Sequence, residues 1–217
     1  MLAPIVAQYR PQLVLLQEAD CPVDWPGARV GHMVSGRPWG SWILAAEGVL
    51  EPISIPEYAG WLTGARWTHG ADSTAIFSLH SPTGTSQSYV AESLRMIRLI
   101  DQAAGRTIPL VIGGDFNFRS LGHRDDAEAI RNTQEELQAL KAFHELGLAV
   151  AWRAVHPSGS LPQTLRWSRS PATPYHCDGY LVRNISVDAC QVLTTESIGF
   201  PSDHDPVLVM LATTAAD

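Results

Sequence analysis

Short apolar runs, separated by polar and glycine- or proline-rich segments, recur along the 217 residues and predict a chain rich in β-strands. Leu13–Leu16 and Ile108–Ile112 are almost entirely leucine, isoleucine and valine, which is typical of buried strands. Trp39 and Trp42 belong to a third run and are expected to pack in the core, with stacking on a base or a sugar as the alternative. Further strands are predicted at Trp39–Ala45, Pro52–Pro56, Gly64–Trp67, Thr74–Leu79, Gly179–Arg183 and Val207–Leu211.

Two longer segments carry apolar residues at the three- and four-residue spacing of an amphipathic helix. Residues 88–104 have Ser88 as an N-cap and Gly105 as a stop, and this helix leads directly into a predicted strand. Residues 126–146 form a second predicted helix, and residues 3–9 form a short one ahead of the first strand. Helices and strands in this order predict a mixed α/β fold.

Composition narrows the class of protein. A length of 217 residues fits one domain, and 45% apolar residues supply enough side chains for a core. No apolar run reaches the roughly 18 residues that a membrane helix needs, and the first residues lack a basic, then apolar, leader pattern. Neither a membrane span nor a signal peptide is therefore expected. A net charge of −7 argues against high-affinity binding of nucleic acid, which needs a basic surface.

The cysteines predict neither a disulfide framework nor a structural zinc site. Cys21, Cys177 and Cys190 are odd in number and share no CxxC spacing. They are expected to be reduced and buried, which predicts a cytoplasmic protein. The run from His176 to Asp178 is not predicted to bind a metal, because three adjacent residues of a strand cannot all face one ion.

Polar residues stand at the ends of two predicted strands. Gly113 and Gly114 end one apolar run and are expected to let the backbone turn, so that Asp115 and Asn117 point out together. A plain β-turn after a core strand would favour the same two residue types. Near the other end of the chain, Ser202, Asp203 and His204 precede the last strand.

These two motifs, Gly113-Gly-Asp-Phe-Asn117 and Ser202-Asp-His-Asp-Pro-Val207, closely resemble the endonuclease/exonuclease/phosphatase superfamily, the DNase I-like fold. Leu15-Leu-Gln-Glu18 and Asp178-Gly-Tyr-Leu-Val182 resemble two further motifs of that family, and all four occur in the family's order. The resemblance implies a four-layer α/β (α+β) sandwich, in which two packed, mostly antiparallel β-sheets are flanked by helices. It also implies one domain over residues 1–217.

The resemblance implies a role for each motif residue. Glu18 would hold Mg²⁺, for which Mn²⁺ could substitute, and Asp203 would be a second carboxylate at the metal. Asp178 would fix the tautomer of His204 and raise its pKa, and His204 would act as a base or a charge partner.

The remaining implied roles concern the substrate. Asp115 and Asn117 would orient the attacking water and the phosphorus centre. His80, directly after a predicted strand, would bind a phosphoryl oxygen or protonate the leaving group, although a histidine there is commonly structural. Trp167 would contact substrate, because Thr164-Leu-Arg-Trp167 resembles the family's substrate-side loop. Arg119 is a candidate substrate contact on other grounds, since it lies in a polar segment close to Asn117, where a solvated loop is the default.

The implied function is a Mg²⁺-dependent phosphoester hydrolase, with a nuclease-type phosphodiesterase acting on nucleic acid as the first choice. A phosphatase or phosphodiesterase acting on small, lipid or inositol phosphates is the alternative, and an inactive scaffold of the same fold is a third. A serine hydrolase and a P-loop NTPase are disfavoured, because the sequence has neither a GxSxG nor a P-loop motif. A monomer is expected.

The sequence departs from the family in one respect. Family members carry a strand before the first helix, and that strand ends in an Asn near the metal. The first Asn of this chain is Asn117. We therefore expect that the chain begins after this strand, in preference to the strand having been lost.

Overall fold

The computed structural model describes residues 3–82, 87–118, 134–158, 161–166, 175–194 and 202–212. Its helices are α1 Ala3–Tyr9, α2 Tyr89–Ala104, α3 Gln134–Glu145 and α4 Ala151–Val155, with a 3-10 turn at Pro56–Tyr58. Its strands are β1 Leu13–Ala19, β2 Ala28–Met33, β3 Gly40–Ala45, β4 Val49–Ile53, β5 Leu62–His69, β6 Asp72–His80, β7 Leu110–Asp115, β8 Ala149–Val150, β9 Asp178–Arg183, β10 Val187–Val192 and β11 Val207–Leu211.

The strands form one large sheet and a second layer opposite it. The large sheet has the order β4-β5-β6-β7-β9-β8, and its neighbours are antiparallel except for β6 and β7, which are parallel. Parallel neighbours need a crossover, and α2 supplies it between β6 and β7. The second layer consists of the three-stranded sheet β1-β3-β2 and the two-stranded sheet β10-β11.

Two apolar clusters hold the layers together. One lies between the sheets and includes Ile43, Ile76 and Val182, with residues of both parts of the second layer packed against it. The other lies on the opposite face of the large sheet, where α2 and α3 contribute residues such as Ile97 and Phe143. The predicted arrangement of two packed sheets flanked by helices is confirmed.

The helix predicted over residues 88–104 is confirmed together with its cap. The Ser88 hydroxyl accepts a hydrogen bond from the Ala91 N–H at 3.2 Å, and Gly105 follows the last turn with a φ of 74°. Of the second predicted helix, residues 134–145 are helical, and residues 126–133 lie outside the described part of the chain. No helix within the described residues is long and apolar enough to cross a membrane.

Three details of the predicted strands are wrong. The strand predicted at Pro52–Pro56 is β4 Val49–Ile53, and Pro56 begins the 3-10 turn. Leu13–Leu16 is only partly buried, because β1 pairs with β3 on one side and has no other described strand beside it. The backbone also does not turn at Gly113 and Gly114, since β7 continues through both to Asp115. A Cβ at Gly113 would lie 2.4 Å from the Tyr180 ring, so these positions lack side chains to admit neighbouring groups.

The three cysteines are free, as expected; Cys177 and Cys190 are buried, whereas Cys21 is only partly so. The strand expected ahead of the first helix stays a prediction.

A buried ion pair connects α2 to the large sheet. The Arg183 guanidinium on β9 is 6% exposed and contacts the Asp101 carboxylate on α2. It also donates hydrogen bonds to the carbonyls of Gly105 and Leu146, at 2.6 Å and 3.2 Å. A buried guanidinium needs such partners, because an uncompensated charge in the interior is costly.

We expect Asp101→Ala to lower the free energy of unfolding by about 3 kcal/mol, since it leaves the Arg183 charge buried and unpaired. Urea denaturation followed by circular dichroism measures the change. Lys141→Ala is the control, because Lys141 and Glu145 form an exposed pair on α3 at 3.8 Å, worth only about 0.3 kcal/mol. Equal effects of the two substitutions would contradict the role assigned to Asp101.

Candidate active site

Three neighbouring strands bring a histidine and two aspartates to one rim of the large sheet. His80 at the end of β6 is paired in register with Asp115 at the end of β7. Asp115 is paired in turn with Asp178 at the start of β9. Because neighbouring strands lie about 4.8 Å apart, this register alone places the three side chains at one rim.

A loop from the C-terminal part of the chain adds His204 to this rim. Its Nδ1 lies 2.9 Å and 3.0 Å from the two carboxylate oxygens of Asp178. The predicted pairing of these two residues is therefore present, and it leaves Nε2 of His204 for other partners.

Backbone hydrogen bonds hold the His204 loop in place. The Arg166 N–H donates to the Asp203 carbonyl at 2.8 Å, and the Asp205 N–H donates to the Thr164 carbonyl at 2.7 Å. The Thr164 hydroxyl in turn accepts hydrogen bonds from the N–H groups of Cys177 and Asp178, both at 3.1 Å. Thr164 thus connects the His204 loop to the start of β9.

Asp115 and Asn117 are arranged by hydrogen bonds of their own. The Asn117 backbone N–H donates to Asp115 Oδ1 at 2.8 Å, and the Asn117 side-chain amide donates to the Ser81 carbonyl at 3.0 Å. Asn117 has a φ of 55°, a left-handed conformation that asparagine tolerates better than most residues. The amide oxygen of Asn117 therefore stays available beside the carboxylate.

Glu18 reaches the same rim from the second layer. Its Oε1 lies 4.0 Å from Nε2 of His80, and Asp115 Oδ2 lies 3.8 Å from the same nitrogen. The Gln17 side chain donates to the Ser78 hydroxyl, which donates to the Leu16 carbonyl, so the end of β1 is tied to β6. The pairing of β1 with β3 is irregular here, and Glu18 has a φ of 49°.

The environment separates the pKa values of these groups. Burial, together with the charges of Asp178 and Glu18, raises the pKa of Asp115 to about 7. Burial and the charge of His204 lower the pKa of His80 to about 4. Burial also opposes the charged form of His204, but the hydrogen bond and charge of Asp178, with the charges of Asp115 and Asp203, raise its pKa to about 9. At neutral pH, His204 is a cation and His80 is neutral.

His80 is also unusual in its own bonding. It is 3% exposed, and its Nδ1 is buried without a hydrogen-bond partner among the described residues. An unsatisfied polar atom in the interior costs about 1–3 kcal/mol. A structural histidine, the alternative reading of this position, would be expected to have both ring nitrogens satisfied or exposed.

Four side chains offer metal-ligand atoms within 4.8 Å of one another: Asp115, Cys177, Asp178 and His204. Cys177 was missed by the sequence reasoning, which treated it as a buried thiol. Burial holds the pKa of the Cys177 thiol well above its usual range, so the thiol stays protonated and is a poor ligand. His176 is not in this group, and its Nδ1 lies 2.7 Å from the Pro162 carbonyl oxygen.

The donor set fits a hard divalent cation. The carboxylates of Asp115 and Asp178, with Glu18 close by, supply the oxygen atoms that Mg²⁺ prefers. Their mutual repulsion contributes to the raised pKa of Asp115, and a bound cation would relieve it.

The other predicted site residues lie at or beyond the edge of this cluster. Asp203 is exposed and is not one of the four clustered donors, although its charge acts on His204. Its role as a metal ligand stays a prediction. Arg119 and Trp167 lie outside the described residues.

Comparison with known proteins identifies the fold. No family model matches the sequence, and no curated protein matches it. An AP endonuclease from Archaeoglobus fulgidus is similar in structure, with a TM-score of 0.73 and 18% identity over 98% of this chain and 93% of that one. The endonuclease domain of TRAS1, a telomere-specific non-LTR retrotransposon, has a TM-score of 0.71 and 16% identity over 98% of this chain and 91% of that one.

The 3′ phosphatase NExo from Neisseria, solved with a product DNA hairpin, has a TM-score of 0.68 and 16% identity over 98% of this chain and 93% of that one. The similarity thus spans nearly the whole of each chain, at an identity so low that it speaks for the fold alone. Two packed sheets with their flanking helices, similar to these structures over nearly the whole chain, give this chain the DNase I-like fold.

Proposed function

We propose that this protein is a divalent-cation-dependent phosphoester hydrolase, and that its substrates are phosphodiesters of the nuclease type. The observation that carries the proposal is the convergence of the His204–Asp178 pair, Asp115 and Glu18 on one rim. These residues lie between positions 18 and 204 of the sequence. Hydrolysis of a phosphoester needs a proton acceptor for water, positive charge at the phosphoryl oxygens and help for the leaving oxygen.

Asp115 is the group best suited to accept the proton of the attacking water. Without a cation the pKa of Asp115 is about 7, and a bound cation would lower it, which keeps the carboxylate ionised and able to accept a proton. The Asn117 N–H orients the carboxylate by donating to Oδ1, which leaves Oδ2 for the water.

His204 is suited to stabilise negative charge on the phosphoryl group. With a pKa of about 9 it is protonated at neutral pH, and Asp178 holds its Nδ1. Nε2–H of the cation is then free to donate to a phosphoryl oxygen as charge builds there. His80 is neutral at this pH because its pKa is lowered, so it has no extra proton to give to the leaving oxygen. Its role would be to donate a hydrogen bond to a phosphoryl oxygen.

Mg²⁺ is the cation we propose, held by Glu18 with Asp203 as a second carboxylate. Asp115 and Asp178 would add negative charge that attracts the cation, while their own contacts are to the water and to His204. When bound, Mg²⁺ neutralises charge on phosphoryl oxygens and so lowers the barrier to attack. Glu18 is suited to the task because its side chain is 58% exposed at the rim and can reach a hydrated ion. Mn²⁺ has the same preference for oxygen ligands and should substitute.

The choice of nucleic acid as substrate draws on the similar structures, which are two endonucleases and a 3′ phosphatase bound to a product DNA hairpin. A net charge of −7 makes weak, cation-assisted binding the expected mode. An inactive scaffold is disfavoured, because a site without selection for chemistry would be expected to lose some of its acids and histidines.

We expect His204→Ala to reduce kcat by about 10²–10⁴-fold, because the cation that meets developing negative charge is gone. Steady-state cleavage of a labelled DNA duplex and of bis-p-nitrophenyl phosphate with Mg²⁺ measures the loss. His144→Ala is the control, since His144 is exposed on α3, outside the candidate site. Unchanged activity in His204→Ala, or no hydrolysis of any phosphoester by the wild-type protein, would refute the proposal.

Removal of the cation should abolish activity and leave the fold intact, because the carboxylate rim is separate from the two apolar clusters. Chelation with EDTA, followed by circular dichroism and activity assays, tests this expectation.

Glu18→Gln should raise the Mg²⁺ concentration for half-maximal activity by at least about tenfold, as loss of a charged ligand does. Glu51→Gln, an exposed residue of β4, should not, and an equal shift in both variants would argue against Glu18 as a ligand.

Stability should depend on pH through His204. Its pKa is about 9 in the folded protein and about 6.5 in an unfolded chain, so its contribution is complete below pH 6.5 and is lost as the pH rises to 9. In chelator, the wild-type protein should therefore lose unfolding free energy across this window, and His204→Gln should lose less. Urea denaturation at pH 6, 7.5 and 9 gives both curves, and parallel curves would be the contrary result.

A further inference from the structure

Two tryptophans form an aromatic wall against His80. The Trp39 and Trp61 rings meet edge to face, with centroids 5.1 Å apart and planes at 84°. Their centroids lie 5.8 Å and 5.1 Å from that of His80, so both indoles contact the imidazole of the candidate site. Both side chains are partly exposed, which is a correction to the expectation that Trp39 packs in the core. Trp42 is buried as expected, at 7% exposure.

The bonding of these indoles differs from that of three other tryptophans of the chain. The indole N–H groups of Trp25, Trp42 and Trp67 each donate to a backbone carbonyl, at 2.9–3.1 Å. Within the described residues, neither Trp39 nor Trp61 makes such a bond. Trp61 also packs against the apolar cluster to which α2 and α3 contribute, so its ring is held by the core while part of it stays exposed.

The backbone nevertheless fixes this wall firmly. The Trp61 carbonyl accepts hydrogen bonds from the His80 N–H at 2.8 Å and from the Ser41 hydroxyl at 3.2 Å. The Trp39 carbonyl accepts one from the Val34 N–H at 2.9 Å. A ligand that meets these rings therefore meets a surface whose backbone is already held in place, so little entropy is lost in ordering it.

We propose that Trp39 and Trp61 form a subsite for a nucleobase next to the phosphoester that is cleaved, and this inference rests on the proposed function. A nucleobase is a flat π-system of a size that matches an indole face, and base–aromatic stacking requires no particular sequence. His80 contacts the wall on one side and the acidic rim on the other. A base stacked on the wall is thus one nucleotide or less from the reacting phosphorus.

The subsite gives a preference for nucleotides that the acidic rim alone lacks. The rim recognises phosphoryl oxygens, which every phosphoester carries, including the small, lipid and inositol phosphates. Only a substrate with an aromatic group close to the phosphorus gains from the wall. A protein with a net charge of −7 gains little electrostatic affinity for the phosphate backbone of a nucleic acid. Stacking of a base on the two tryptophans would supply affinity that does not depend on charge.

Three p-nitrophenyl phosphodiesters with the same leaving group test the subsite. One carries thymidine, one carries the corresponding deoxyribose without a base, and one carries a methyl group. We expect the wild-type protein to favour the thymidine ester over the base-free ester by roughly 5- to 150-fold in kcat/KM, the range that stacking of one base provides. Trp39→Ala and Trp61→Ala should lose this preference and keep the rate on the methyl ester within about threefold.

Trp67→Ala is the matched control. Trp67 lies six residues beyond Trp61 along β5, about 20 Å away, and stacks on His69 outside the site. This variant should retain the preference for thymidine.

A binding measurement in EDTA gives a readout without catalysis. Fluorescence titration compares oligothymidylate with an abasic oligomer of equal length. Wild type and Trp67→Ala should bind oligothymidylate more tightly than the abasic oligomer, whereas Trp39→Ala and Trp61→Ala should not.

The outcomes separate the two proposals. No hydrolysis of any of the three esters would overturn the proposed function, whereas hydrolysis without a preference for the thymidine ester would overturn the subsite alone. Equal losses of Trp39→Ala on all three esters would also overturn it, because they would indicate a disturbed His80 and no stacked base. Trp39→Phe, which keeps an aromatic ring, should retain part of the preference.

Discussion

The register between β6, β7 and β9 is the constraint on which the site depends. One parallel and one antiparallel pairing place His80, Asp115 and Asp178 side by side. Because side chains alternate between the two faces of a sheet, a slip of one residue in either pairing would send one of these groups to the opposite face. The glycines of β7 protect this register, since they admit the Tyr180 ring and the Leu79 carbonyl. The core and the site are therefore specified by the same hydrogen-bond ladder.

The candidate site concentrates negative charge on carboxylates that are largely buried and therefore poorly solvated. Asp115 is buried beside Asp178, and only part of their charge is met by His204. Such an arrangement reduces stability unless a cation or a proton enters it. The acids are consequently more informative about function than their exposure suggests, because a fold selected for stability alone would not assemble them.

Much of this could be predicted from the sequence, because strand ends and polar motifs are local features. The α2 cap at Ser88 follows from a local motif, whereas the pairing of His204 with Asp178 was implied by the resemblance to the DNase I-like fold. Properties that depend on distant neighbours could not be predicted. The paired glycines predicted a turn at Gly113. The real reason for a glycine there is the contact with Tyr180, 67 positions further along, which the local sequence cannot reveal. The position of Trp39 beside His80 is hidden for the same reason.

The left-handed backbone at Glu18 is unfavourable for the stability of the fold, whereas the Glu18 carboxylate is needed by the proposed site. A glutamate with a φ of 49° carries conformational strain on the order of 1 kcal/mol, which glycine at the same place would avoid. Glu18→Gly would therefore relax the bulge of β1 and remove the carboxylate in one step. A substitution that stabilises the fold at this position would thus remove the carboxylate that the proposed cation site needs, so greater stability and the proposed activity make opposite demands on one residue.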